Sequence, residues 1–281
     1  MKFEKWQALG NDYLILEEAN IPWDLNPTRV EWLCDQHFGV GADGILLLSH
    51  SDDPEFVANL RIFNPDGSEA ELSGNGAREA ILYLRRHGWT DEGTFAISTA
   101  AGPIVPTITG ELTCSVEMGR ASTTSKDYPS GADDGKGTLE VGGREWEFQH
   151  VSIGNPQCAI VVGKELDELD LEEIGPPIEG SDPFPNRTNV SFLAIDGSRV
   201  RARIFERGVG ETLSSGTGAS GAAVTAFLRG ASSPIVVELE GGELEVEIGE
   251  DLAVRLTGWA EPVYAGELSP ELLAALAELD G

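Results

Sequence analysis

Two stretches of the chain carry the same reactive groups at the same spacing. Residues 61–77 read RIFNPDGSEAELSGNGA and residues 203–219 read RIFERGVGETLSSGTGA, an ungapped offset of 142 with identity at eight of 17 positions. In each copy a serine (Ser73, Ser215) precedes a Gly-x-Gly turn that opens into an apolar, helix-like run. Glycines there permit positive φ and let a ligand approach the main chain closely. The first amides of a helix point outward unpaired, so such a turn holds an anion. A lone Gly-x-Gly before a helix reads equally well as an ordinary tight turn. Duplication with the serine kept in both copies favours a paired site for a small carboxylate-bearing ligand, approached from two sides. The copies differ where the first has Asn64-Pro65 and the second Glu206-Arg207. An acid beside a base ahead of the turn suits the ammonium and carboxylate of an amino acid, or else forms an exposed ion pair. Neither loop has the lysine of a phosphate-binding P-loop, nor a clear βαβ setting with a later ribose-binding acid, so a nucleotide site is disfavoured.

A second echo lies upstream, where WQALGNDYLIL (6–16) resembles HVSIGNPQCAI (150–160), each pairing a Gly-Asn dipeptide with apolar flanks. The chain therefore reads as two versions of one unit. Strand-like runs dominate: residues 13–16, 60–63, 95–98, 113–118, 158–162, 190–194, 200–205, 235–239 and 252–256. Helices are expected over 28–37 behind an Asn-Pro cap, over 77–86 and 219–229 behind the glycine turns, and from Ser269-Pro270 through Glu278. The stretch 122–143, rich in Ser, Asp and Gly, is the expected boundary or exposed hairpin region. Many strands around one helix per half predict an α+β fold rather than a Rossmann sheet.

The 281 residues suit two domains, and 41% hydrophobic content supplies a substantial core. Lys+Arg number 19 against 48 Asp+Glu, a net charge of −29. That surface repels phosphate polyanions and argues against nucleic-acid binding. The acids are scattered, as in a halophile-like protein kept hydrated in strong salt. Cys34, Cys114 and Cys158 form no C-x-x-C pair, and His37, His50, His87 and His150 show no metal-ligand spacing, so no metal is expected. The first residues lack an apolar signal core and no run is long enough to span a membrane. A cytoplasmic protein with no membrane partner is the expectation.

At these motifs the sequence resembles the diaminopimelate epimerase family along nearly its whole length, through ALGNDYL (8–14), FGVGADG (38–44), FNPDGSEAELSGNGAR (63–78), IGNPQ (153–157), FPNRTNVSF (184–192) and FERGVGETLSSGTGA (205–219). The resemblance implies two pseudo-symmetric domains, each a barrel-like, mainly antiparallel sheet around a central helix, with the active site in the interdomain cleft. Their expected extents are 1–118 and 119–262, with 263–281 returning to the first. It implies an isomerase without a cofactor that interconverts LL- and meso-diaminopimelate in lysine biosynthesis, with a small amino acid as its partner and a homodimer allowed. One thiolate takes the α-proton and an opposed thiol returns one, while helix-start amides hold the α-carboxylate. By motif position the two proton-transfer groups are Ser73 and Ser215. The ligand contacts implied are Asn11, Asn64, Asn155 and Asn189, with Glu206 and Arg207 on the distal amino-acid head and Gly74, Asn75, Gly216 and Thr217 as helix-start donors.

The chain departs from the family where the reaction is done: both thiols are serine, and the histidine of the family's GNPH segment is Gln157. A hydroxyl is a far weaker acid than a thiol of pKa about 8.5, and each added unit costs about 1.4 kcal/mol in reaching the anion. A serine can act beside a general base, but no histidine occupies either motif. Three readings stand side by side: a Cys→Ser trap, a homologue that binds the amino acid with little or no turnover, and a chain that shifts a proton with another residue. An isomerase like those of phenazine biosynthesis is the same-fold alternative, although that group lacks the duplicated Ser/Cys-Gly-x-Gly arrangement.

Overall fold

A computed structural model describes residues 1–279; Asp280 and Gly281, the end of the expected returning segment, lie outside the described residues. The chain divides into two compact units, one formed by Met1–Val116 with Trp259–Gly281 and the other by Glu117–Gly258. The first unit begins with β1 (Lys2–Ala8), β2 (Asn11–Glu17), α1 (Pro27–Cys34), β3 (Ile45–Ser49), β4 (Ala58–Phe63), β5 (Glu69–Ala70) and α2 (Gly74–Arg86). It continues through β6 (Ile97–Thr99), β7 (Gly102–Ile104) and β8 (Thr107–Gly110), and β9 (Thr113–Arg120) leads into the second unit. There follow β10 (Lys136–Val141), β11 (Arg144–Ser152), β12 (Pro156–Val161), α3 (Leu171–Glu179), β13 (Asn189–Asp196), β14 (Arg199–Glu206), β15 (Gly210–Thr212), α4 (Gly216–Leu228), β16 (Ile235–Leu239), β17 (Gly242–Ile248) and β18 (Ala253–Trp259). The chain ends with β19 (Glu261–Glu267) and α5 (Pro270–Ala277), both in the first unit.

The sheet of the first unit runs β19-β1-β2-β3-β4-β6-β7, with β5 on β4. In the second unit β10-β11-β12-β13-β14-β16-β17-β18 follow in order, with β15 on β14. Antiparallel pairing prevails, and the parallel pairs fall at matched places in the two units: β2–β3 and β4–β6 in one, β12–β13 and β14–β16 in the other. The α+β class holds, with the sheets mixed rather than uniformly antiparallel.

Each sheet packs against one central helix. Residues 75–84 of α2 are all buried, as are 218–226 of α4. α4 lies against β11, β12, β13, β14, β16 and β17, and α2 against β1, β2 and β3. A helix surrounded on all sides has no polar stripe, and the buried stretch 218–226 of α4 is built accordingly from Gly, Ala, Ser, Thr and Val. The opposite sheet faces are covered as well. Val30, Leu33 and Cys34 of α1 and Leu276 of α5 pack with Leu14, Leu16, Ile45 and Leu47, while Leu171 and Ile178 of α3 pack with Ile160, Val190 and Phe192. Burial on both faces explains the apolar runs 45–48 of β3 and 158–161 of β12, which lack the alternation of a one-sided strand.

The returning segment is tied in two ways. β19 pairs antiparallel with β1, placing Lys2 opposite Glu267. Arg29 of α1, buried, donates from Nε to the Leu276 carbonyl at 2.8 Å, at the C-terminal end of α5 where a cation is favoured. Helix boundaries differ from the sequence expectation where side chains compete for the main chain. α1 stops at Cys34 rather than running to His37, because the Asp35 carboxylate accepts the N–H groups of His37 and Phe38 at 2.7 Å each. The glycine turns are themselves helical, so α2 and α4 start at Gly74 and Gly216, three residues earlier than expected. Within 122–143, Tyr128 is buried against Phe148 and Phe184, so that segment is in part core rather than exposed. Among the described residues no helix is long and apolar enough to cross a membrane.

Candidate active site

The repeated identities do the same structural work in both units. Arg61 and Glu69 join β4 to β5 through two bonds of 2.9 and 2.8 Å; Arg203 and Glu211 join β14 to β15 through bonds of 2.8 and 3.0 Å. These bidentate pairs brace the hairpin that leads to each serine. Ile62 and Phe63, like Ile204 and Phe205, are core residues, and Ala77 and Ala219 are buried in the first helical turn. Gly76 and Gly218 sit where a Cβ would come within 2.9 Å of Leu46 Cδ2 and 2.6 Å of Ile204 Cδ1, respectively. Side chains there would push the helix start away from its sheet.

Ser73 and Ser215 are the N-caps of the two central helices. Both have extended backbones, and each Oγ accepts the N–H three residues on, from Gly76 or Gly218, at 3.1 Å. Their carbonyls accept the N–H of Ala77 (2.8 Å) and Ala219 (2.9 Å). Gly74, Asn75, Gly216 and Thr217 therefore occupy the first turns, where main-chain amides lie beyond the reach of the intrahelical ladder.

Each serine has a second, different neighbour. In the first unit the Tyr13 hydroxyl donates to Ser73 Oγ at 3.2 Å. In the second unit burial raises the pKa of the Glu206 carboxyl, and the hydroxyls of Ser215 and Thr212 draw it back down. Sequence alone showed that no histidine was available, and the structure supplies a phenol and a carboxylate instead. Tyr13 was missed although it lies inside the quoted motif 8–14, because its partner is 60 residues away.

The two Gly-Asn dipeptides lie in equivalent turns: Gly10 (φ 82°) joins β1 to β2, and Gly154 (φ 80°) joins β11 to β12. The asparagine that follows reaches the second residue of the central helix in both units. Asn75 Nδ2 donates to Asn11 Oδ1 at 3.3 Å, and Asn155 Nδ2 donates to Thr217 Oγ1 at 3.2 Å. Further bonds hold these amides in place: Asn11 Nδ2 to Asp43 Oδ2 (2.9 Å), and Gln157 Nε2 to Asn155 Oδ1 (2.7 Å). Asn64 lies in the hairpin, donating to Ser68 Oγ at 2.9 Å. Asn189 is buried with both ends of its amide committed to main chain, accepting from Arg207 N–H (2.9 Å) and donating to the Pro156 carbonyl (3.3 Å). Beside it the buried Glu179 accepts Gly208 N–H at 2.8 Å and pairs with Arg187, so the Glu206–Gly208 turn is pinned from below. Arg207 itself is exposed, donating to the Asn186 carbonyl at 3.1 Å.

Behind the first helix start lie two buried ionisable groups. Arg78 donates to Asn75 Oδ1 (2.6 Å) and to the Gly74 carbonyl (3.0 Å), the latter matched in the second unit by Ser220 Oγ on the Gly216 carbonyl (2.8 Å). Glu79 is fully buried and neither carboxyl oxygen has a hydrogen-bond partner. Burial drives its pKa well above the ordinary carboxylate value, Asp12 and Asp43 raise it further, and Arg78 opposes them. An unfolded glutamate titrates near about 4.3. As pH rises past that point the unfolded chain releases a proton that the native state keeps, so native stability falls until the folded pKa is passed. Glu79→Gln is expected to remove this slope and to stabilise the protein at neutral pH by about 1–3 kcal/mol, read from urea midpoints at several pH values.

The three cysteines offer no substitute thiol. All are buried; burial pushes Cys34, with help from Asp12 and Asp43, and Cys114 up to about 12, and raises Cys158 as well.

Comparison with known proteins places this geometry in a family. The sequence model described as diaminopimelate epimerase matches residues 3–124 and 149–261, covering both helix starts. The chain belongs to the diaminopimelate epimerase family. It is 41% identical to "Diaminopimelate epimerase 2" of a Nostoc strain, over 98% of both chains, and 40% identical to the diaminopimelate epimerase of a Synechococcus strain, over 95% of this chain and 97% of that one. The fold is shared more widely. A phenazine biosynthesis protein of Bacillus anthracis superposes with a TM-score of 0.66 at 19% identity, covering 96% of this chain and 99% of its own. Such remote similarity speaks to architecture alone.

Proposed function

We infer that the protein is an isomerase that interconverts LL- and meso-diaminopimelate, with Ser73 and Ser215 as the two proton-transfer groups. The observation that carries this reading is the repeated helix start: a capping serine on a Gly-x-Gly turn in each unit of a chain that belongs to this family. In this reading the first-turn amides of Gly74, Asn75, Gly216 and Thr217 hold the α-carboxylate. They stabilise the charge that moves onto it as the α-proton leaves, an oriented-dipole effect that requires no cofactor. Asn11, Asn64 and Asn155 line the ligand, and Glu206 and Arg207 recognise an amino-acid head group. Asn189 contributes by fixing the Arg207 turn. The Ser215 hydroxyl takes the α-proton while its own proton passes to Glu206, whose raised pKa brings it nearer the range of a useful base.

The test is incubation with LL-diaminopimelate in deuterated water at high salt, following α-deuterium and stereochemistry together. Inversion with label at one α-carbon is the expected result. Calorimetric binding without label would instead identify a silent amino-acid-binding homologue. Failure to bind either stereoisomer would sink the substrate assignment.

A further inference from the structure

We propose that Tyr13 is the proton donor that stands behind Ser73, making the first half-site a hydroxyl relay in place of a single thiol. This builds on the epimerase reading above and adds a residue to it. Three features of the geometry carry it.

First, Ser73 Oγ already accepts two hydrogen bonds, from Gly76 N–H at 3.1 Å and from the Tyr13 hydroxyl at 3.2 Å. A hydroxyl oxygen has two acceptor lone pairs and one proton, so the Ser73 proton is the group left to point at a ligand. Second, the aromatic ring is seated by glycines from two separate motifs. A Cβ at Gly44 would lie 2.6 Å from Tyr13 Cε1, and one at Gly76 would lie 3.3 Å from Tyr13 Cε2. The residue is buried, so its hydroxyl reaches Ser73 from a fixed platform. Third, the second half-site is built differently. In the upstream echo, the place of Tyr13 is taken by Gln157, whose Nε2 donates to Asn155. Ser215 faces the Glu206 carboxyl, an acceptor, whereas Ser73 faces a phenol, a donor. The two serines are thus biased toward opposite halves of a proton transfer.

The step balances without a further reactant. Ser73 Oγ–H gives its proton to the carbanionic α-carbon, whose electron pair becomes the new C–H bond. Tyr13 gives its hydroxyl proton to Ser73 Oγ and is left as phenolate, which water reprotonates. In reverse, the phenolate takes the Ser73 proton as Ser73 takes the one on carbon. A phenol is a far stronger acid than an alcohol, so it can serve where an isolated alcohol does not. Tyr13 acts through Ser73 and is in that sense a positioning residue.

The test compares the wild type, Tyr13→Phe, Ser73→Cys and the Tyr13→Phe/Ser73→Cys pair in the deuterium assay, with KM and calorimetric affinity measured alongside. Phenylalanine keeps the ring in its seat. Tyr13→Phe is expected to lower kcat about 10²-fold with KM little changed. With cysteine at position 73, which carries its own acid, the same substitution is expected to cost only a few-fold. A merely structural role would penalise both backgrounds alike, and that result overturns the proposal. Equal rates for wild type and Tyr13→Phe overturn it too. Label entry only in forms carrying cysteine overturns the relay and leaves the diaminopimelate reading intact, whereas no turnover in any form removes both.

Discussion

Cysteine introduced at Ser73 and Ser215 together is expected to raise the epimerisation rate by about 10²–10⁴-fold while making the protein less stable. The gain follows from acidity: a thiol reaches its anion near about pH 8.5, and lower still at a helix start, whereas an alcohol must borrow a neighbour's basicity. The loss follows from capping. Each serine oxygen accepts a main-chain N–H of the first helical turn at 3.1 Å, and sulfur is a weak acceptor for that bond. Losing an N-cap costs about 1 kcal/mol per helix, and both helices form the centres of their units. Rate and urea midpoint should therefore move in opposite directions in each single variant, and further in the pair. A double variant that binds diaminopimelate yet gains no rate would contradict the assignment of these two positions.

Arg78→Ala is expected to be the most damaging single change to stability, about 3–5 kcal/mol. The guanidinium is buried and holds both the Asn75 amide and the Gly74 carbonyl. Its loss leaves Asn75 Oδ1 without that donor, removes the charge that opposes the rise of the Glu79 pKa, and opens a cavity beside the helix start. Arg78→Met keeps the stem volume and should recover part of the loss. In whatever fraction folds, KM for diaminopimelate should rise more than kcat falls, because Asn75 would lose its orientation while the serine would not. Urea titration at unchanged m-value, together with steady-state kinetics, separates these effects.

Much of this arrangement was legible in the chain itself. The duplication, the Gly-rich helix starts and the two serines follow from composition and spacing, because a helix cap and a tight glycine leave local marks. What stayed hidden was long-range. Tyr13 and Ser73, or Glu179 and the Arg207–Gly208 turn, meet only once sheets are formed, and no local pattern links them. No local pattern marks Arg78 and Glu79 as buried, because their burial comes from the sheet packed against the helix. α3 was missed outright: Pro176 and Pro177 argue against a helix, yet Asp170 caps it and its apolar face covers the sheet. The early end of α1 depends on a carboxylate turning back on its own backbone, a competition that propensity does not resolve.

Because β1 takes β19 as its edge partner and Arg29 grips the end of α5, the unit that begins the chain is completed only by the residues that end it. During synthesis on the ribosome, the contiguous middle portion has all its strands as soon as Gly258 has emerged. The nascent strand β1 must wait for β19 and α5, with its outer edge open until they have been made. Truncation ahead of β19 would therefore damage the unit that is translated first.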